Sequence, residues 1–145
     1  MKDAIVEKLI SDGVFKSVES LLSLALIDEL RVAKEHQAWL IELSTKAEGN
    51  QRDIGSPLQE ERVVYGVLIG VKARNSKTGS NAEDKLDELK SKVRKALFGF
   101  LPTAHQADYQ MLTLESGSLL RFIDGAVFWL ERFQTKRIIT QENLS

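Results

Sequence analysis

The chain of 145 residues contains no cysteine. Disulfides, thiolate nucleophiles and cysteine-based zinc sites are therefore excluded outright, which fits a reducing interior without proving one. Neither sign of charge is in excess. Twenty Lys and Arg stand against twenty-one Asp and Glu, a net of −1, so no global field pulls the molecule onto nucleic acid or an anionic membrane. No apolar run approaches the roughly 20 residues that a membrane-spanning helix needs. The opening "MKDAIVEKLISDG" sets acids inside its apolar pattern, unlike a signal peptide. These absences predict a soluble chain made and kept in cytoplasm. Histidine is scarce too: His36 and His105 each stand alone in a polar stretch, without a second ligand at metal spacing, and read as surface imidazoles.

Chemistry is also hard to find. "GVLIG" places its glycines inside a strand, and "KTGSN" lacks the rest of a phosphate-binding loop. "ESGSL" (115–119) has the look of a nucleophile elbow but falls in an expected hairpin with no helix after it. No catalytic residue, cofactor site or metal site is assigned, and the chain is not expected to be an enzyme.

What is present is an ordinary globular composition, 43% apolar and 28% charged, enough for one domain spanning 1–145 with its own core. Apolar spacing predicts a helix over 3–12 stopped by Gly13, a β-like stretch over 14–20, and a helix over 21–31 that is apolar nearly all round. A strand over 38–47 puts Trp39, Ile41 and Leu43 on one face. The Gly/Asn/Asp/Ser/Pro-rich stretch 48–61 reads as a protruding hairpin loop. The clearest strand, 62–75, carries Val63, Tyr65, Val67, Ile69 and Val71 on one face and Val64, Gly66, Leu68 and Gly70 on the other. Apolar on both sides, it belongs in mid-sheet, and its glycines leave room for close approach. A helix over 82–98, capped by Ser80 or Asn81, follows, with the stripe Leu86, Leu89, Val93, Leu97. Acids crowd its start and bases its end, which suits the helix dipole. Strands over 109–115, 118–123 and 124–140 complete the pattern, the last two joined through Asp124-Gly125. Residues 141–145 read as a flexible tail. The fold class expected is α+β: two layers, a mainly antiparallel or mixed sheet, helices on one face.

The last strand poses the question. In "DGAVFWLERFQTKRIIT" (124–140), Phe128 points to one face while Trp129 and Phe133 point to the other, and Arg132, Lys136 and Arg137 interrupt the run.

The whole layout resembles the tail terminator proteins of long-tailed bacteriophages, closest to those of Mu-like phages and prophages. The resemblance runs through "DAIVEKLI", "VFKSVESL", "AWLIELSTKAEGNQRD", "VVYGVLIGVKARN", "DKLDELKSKVRKALFGFLP" and "GAVFWLERFQT". It implies a structural virion protein that assembles as a hexameric ring on the head-proximal end of the tail tube, stops tube polymerisation, and offers a docking surface to head-completion (neck) proteins. The implied partners are copies of itself, the tail tube protein, a neck protein and, in contractile tails, the sheath. DNA passes through the lumen without sequence-specific binding, and no membrane is involved. Assembly takes place in the host cytoplasm.

Under that resemblance, Trp129, Arg132 and Phe133 are the candidate subunit anchors, since interfaces favour such residues. Gln51, Arg52, Asp53 and Ile54 make the loop a candidate arm. Lys72, Arg74 and Lys77 are candidates for the lumen and the DNA path. Two other readings stay open: a head–tail connector or neck ring protein, and a small cytoplasmic α+β binding domain, which would gather carboxylates or His36 into a concave pocket.

Overall fold

The computed structural model describes residues 1–32, 34–73, 80–123 and 125–144, with the side chains of 80, 81 and 123 left aside. In chain order the elements are α1 (Lys2–Ser11), β1 (Val18–Ser20), a 3₁₀ turn (Leu24–Glu29), β2 (His36–Ala47), β3 (Leu58–Lys72), α2 (Ser80–Leu97), β4 (Thr113–Ile123) and β5 (Ala126–Thr140). Five strands form one open mixed sheet in the order β1-β2-β3-β5-β4. Only β1 runs parallel to its neighbour; the other pairs are antiparallel. The α+β expectation holds.

Strand alternation sorts the apolar side chains into two cores. Val63, Tyr65, Val67, Ile69 and Val71 of β3, with Ala38 and Leu40 of β2 and Phe133 of β5, pack under α1 and α2. The expected stripe Leu86, Leu89, Val93, Leu97 is the buried face of α2. On the reverse side Trp39, Ile41, Leu68, Phe128 and Leu130 meet Leu21, Ile27 and Val32. Residues 21–32 thus lie across the second face as a strap.

The strap is not the expected helix over 21–31. Ser23 caps a 3₁₀ turn of six residues, its side chain accepting from Ala25 N at 3.1 Å, and Leu30 is already extended. Leu22 is left exposed. An all-round apolar sequence has no dominant face, and among the described residues the sheet below gives footing to Leu21, Leu24, Ile27, Leu30 and Val32. A 3₁₀ turn between extended arms delivers that footing.

The glycines of β3 show what approaches them. A Cβ on Gly66 would lie 2.8 Å from Leu130 and 2.9 Å from Ile41; on Gly70 it would crowd Val32 and Phe128 at 2.9 and 3.0 Å. The room seen in the sequence is filled by the monomer's own core.

Two expected boundaries move. The strands expected at 109–115 and 118–123 merge into one strand, β4, which begins only at Thr113 and has bulges at 114/116 and 119/121, and "ESGSL" lies inside it. Bulges let one strand shift register without ending. The hairpin loop shrinks to 48–57 because polar Leu58–Arg62 pairs throughout with Lys136–Thr140. Beyond β5, residues 141–143 form a 3₁₀ turn, with Asn143 Oδ1 accepting from Thr140 N at 2.9 Å.

Candidate functional site

β5 is the second strand from the sheet's edge, and both its faces are used within the monomer. Phe128 and Leu130 lie under the strap, and Phe133, wholly buried, lies under α2. Phe133, one of the expected anchors, is thus a core residue of the single chain, beside Tyr65 in mid-sheet.

Trp129 is only partly covered. Lys90 Nζ sits 3.9 Å from its ring centroid, a cation–π contact, and its indole Nε1 donates to Glu131 Oε1 at 2.6 Å. Glu131 is fully buried, a charge inside the sheet that was not among the expected site residues. Arg94 of α2 donates to both its oxygens, Nε to Oε2 at 2.6 Å and Nη2 to Oε1 at 2.9 Å. That bidentate bond pushes the Arg94 guanidinium above its ordinary pKa. Opposite Glu131 in β4 stands Gly117, where any Cβ would collide with Glu131 Oε1 and lie 3.1 Å from the Trp129 ring. The sequence does carry the signal: a lone acid on the same strand face as Trp129 and Phe133 must find a cation or stay unpaired.

Around this network the last strand of the sheet, β4, presents its outer backbone edge without a neighbour among the described residues. Leu119 and Phe122, opposite Trp129 and Val127, are 60% and 63% exposed. Edges of this length normally carry protection, because their free N–H and C=O groups invite another strand. Here the protection is two bulges and Arg121, whose Nη1 donates to Asp28 Oδ1 of the strap. Arg132, on the strap face, donates to Ser118 Oγ of β4 at 3.0 Å and stays partly exposed.

The loop residues Gln51, Arg52, Asp53 and Ile54 are all exposed, Ile54 at 91%. The loop is nonetheless internally braced. Asn50 Oδ1 accepts from Arg52 N and Leu58 N, and Gln51 N donates to Leu58 O at 2.8 Å. Lys72 ends β3, its N–H donating to Glu35 O; Arg74 and Lys77 lie outside the described residues.

His36 opens β2 beside Phe15, ring centroids 5.9 Å apart. Burial, then the Lys85 charge, lowers its pKa. His36 itself lines an open hollow of about 320 Å³, together with Phe15, Lys16, Ser17, Lys34, Glu35 and Gln37. Among its described lining residues Glu35 is the one carboxylate. Among the described residues no group of three or more His, Asp or Glu could hold a metal ion, and no helix is long and apolar enough to cross a membrane.

A family model described as phage tail terminator protein matches residues 5–143, and the chain belongs to that family. It is a structural protein of the phage tail, with the virion as its place and other tail proteins as its associates. Among curated proteins no match was found.

Proposed function

We propose that this protein forms a hexameric ring on the head-proximal end of the tail tube, halts tube polymerisation there, and presents the surface on which head-completion proteins dock. The observation that carries this reading is the outer edge of β4 with exposed Leu119 and Phe122, in a chain of the tail terminator family. The opposite edge of the sheet, β1, is three residues long, so the two edges are unlike. Unlike surfaces favour head-to-tail contact, which closes into a ring when its rotation allows. In this arrangement Arg132 and the partly exposed side of Trp129 border the contact, Gln51–Ile54 reach toward a neighbour or the tube, and Lys72, Arg74 and Lys77 turn to the lumen. No bond is made or broken; assembly happens in the host cytoplasm.

The test uses purified tail tubes and the L119D/F122D variant. Wild-type protein should cap one tube end as a ring under electron microscopy and arrest growth. The variant, folded by circular dichroism, should remain monomeric and leave tubes growing. Capping by the variant at the wild-type level would remove β4 from the contact. Wild-type protein found along the tube, or at the opposite end, would overturn the function.

A further inference from the structure

The register brings together three cations that the sequence scatters over ninety positions. Lys46 of β2 is paired with Arg62 of β3, and Arg62 with Lys136 of β5. Paired residues share a face, so the three side chains form one row across three strands on the strap side of the sheet. With strands about 4.8 Å apart the row is roughly 10 Å long. All three residues are exposed. Four residues up β5, Arg132 lies on the same face.

Like charges directly opposite one another in a sheet are destabilising. Lys136 has a distant partner, Glu60, at 4.0 Å. Lys46 and Arg62 make no ion pair among the described residues. The strap ends short of this stretch, since its apolar partners reach no further down β5 than Leu130. Beside the row runs a groove of about 340 Å³ lined by Arg62, Gln134, Lys136, Gln110, Met111 and Thr113.

We propose that this row is a contact for the phosphate backbone of DNA. A line of three cations, with Glu48 and Glu60 beyond one margin only, selects an anionic partner. Two features favour a polyphosphate over an acidic protein surface. Lysine is depleted in protein–protein interfaces, yet supplies two of the three cations. And no aromatic anchor stands within the row: its same-face neighbours are Ser44, Val64 and Gln134 on one side, Glu60 and Ile138 on the other. Long cations without an aromatic to stack on hold phosphates and read no bases. DNA as the occupant rests on the tail-end position proposed above; the charge row itself does not. These residues are distinct from Lys72, Arg74 and Lys77.

The experiment measures fluorescence anisotropy of labelled duplex DNA with the full chain at low salt, using wild type and K46Q/R62Q/K136Q. Wild type should bind duplexes of unrelated sequence equally. The slope of log affinity against log salt falls by about 0.9 for each phosphate contact removed, so the triple variant should lose about two to three units of slope and at least tenfold in affinity. No binding by wild type, or unchanged binding by the variant, overturns the proposal. Equal wild-type affinity for polyglutamate overturns it in favour of an acidic protein partner. Arg62→Gln alone should leave the melting temperature unchanged or raised; a fall would make Arg62 a fold-stabilising residue and sink the idea of an unmatched row. Tube capping by the triple variant is read separately. Capping without DNA binding upholds both proposals, whereas a wild type that binds DNA through the row but never caps a tube discards only the ring.

Discussion

Strand β5 treats charge in two opposite ways within six residues. Glu131 is shut inside the sheet, its carboxylate answered by Arg94 and Trp129, and Gly117 is left bare to admit it. Lys136 stands in the open opposite Arg62, at the end of a row that Lys46 continues, with Glu60 4.0 Å away as its partner. A buried charge must be matched inside the monomer, because an unpaired one costs several kcal/mol. An exposed row can stay unmatched at small cost in water and wait for something outside. The difference separates residues that serve the fold from residues left over for partners.

The sharpest way to break that contrast is Arg94→Ala. It strands the buried Glu131 carboxylate with one donor, Trp129 Nε1, and should cost about 3 kcal/mol or more by urea denaturation. R94M/E131L, which removes both charges, should recover much of that loss. An R94A chain within about 0.5 kcal/mol of wild type, inside the range of ordinary surface substitutions, would show that Glu131 does not depend on its partner. Trp129→Ala comes next, losing aromatic packing and the Lys90 contact, for about 2 kcal/mol given partial exposure. Light scattering on the same variant tells whether Trp129 borders the ring; a particle of unchanged size removes it from the interface. Gly117→Ala should cost about 1–3 kcal/mol by overpacking. An equal cost in an E131A background would mean that the clash is not with the carboxylate.

The smallest effect is one of pH. His36 has its pKa lowered in the folded state by burial, then by Lys85. The unfolded chain therefore binds the proton more readily. The stability linked to His36 is present above the ordinary imidazole value of 6.5 and declines as pH falls below it. His36→Asn should flatten that part of the stability profile between about pH 5 and 7; an unchanged slope assigns the decline elsewhere, with His105, whose pKa burial also lowers, as the next group to replace.

Strongly periodic segments are legible in the sequence alone. The two apolar faces of β3 and the stripe of α2 can be read directly, because burial dictates such patterns. The Glu88–Lys92 pair, present at 2.9 Å, follows from helical spacing, which is local. Residues 21–31 depart from the expected helix, because an all-apolar run does not say which side meets a sheet. Leu58–Glu61 depart from the expected loop, because their pairing with Arg137–Thr140 rests on backbone hydrogen bonds rather than apolar burial. Among the candidate contact residues, Phe133 belongs to the core and Gln51–Ile54 are exposed, while Leu119 and Phe122 become candidates only through their place on the edge strand. An apolar side chain in a strand carries no mark of whether its sheet ends there.

By itself, the sequence determined the α+β class and the absence of thiol chemistry, which follow from composition and local period, and it carried the family resemblance in the order of its segments. The tertiary structure alone decided which strand is the edge, which acid is buried, and which three cations stand in line. Those depend on register between segments far apart in the chain, and register is a property of pairs of strands that neither strand carries alone.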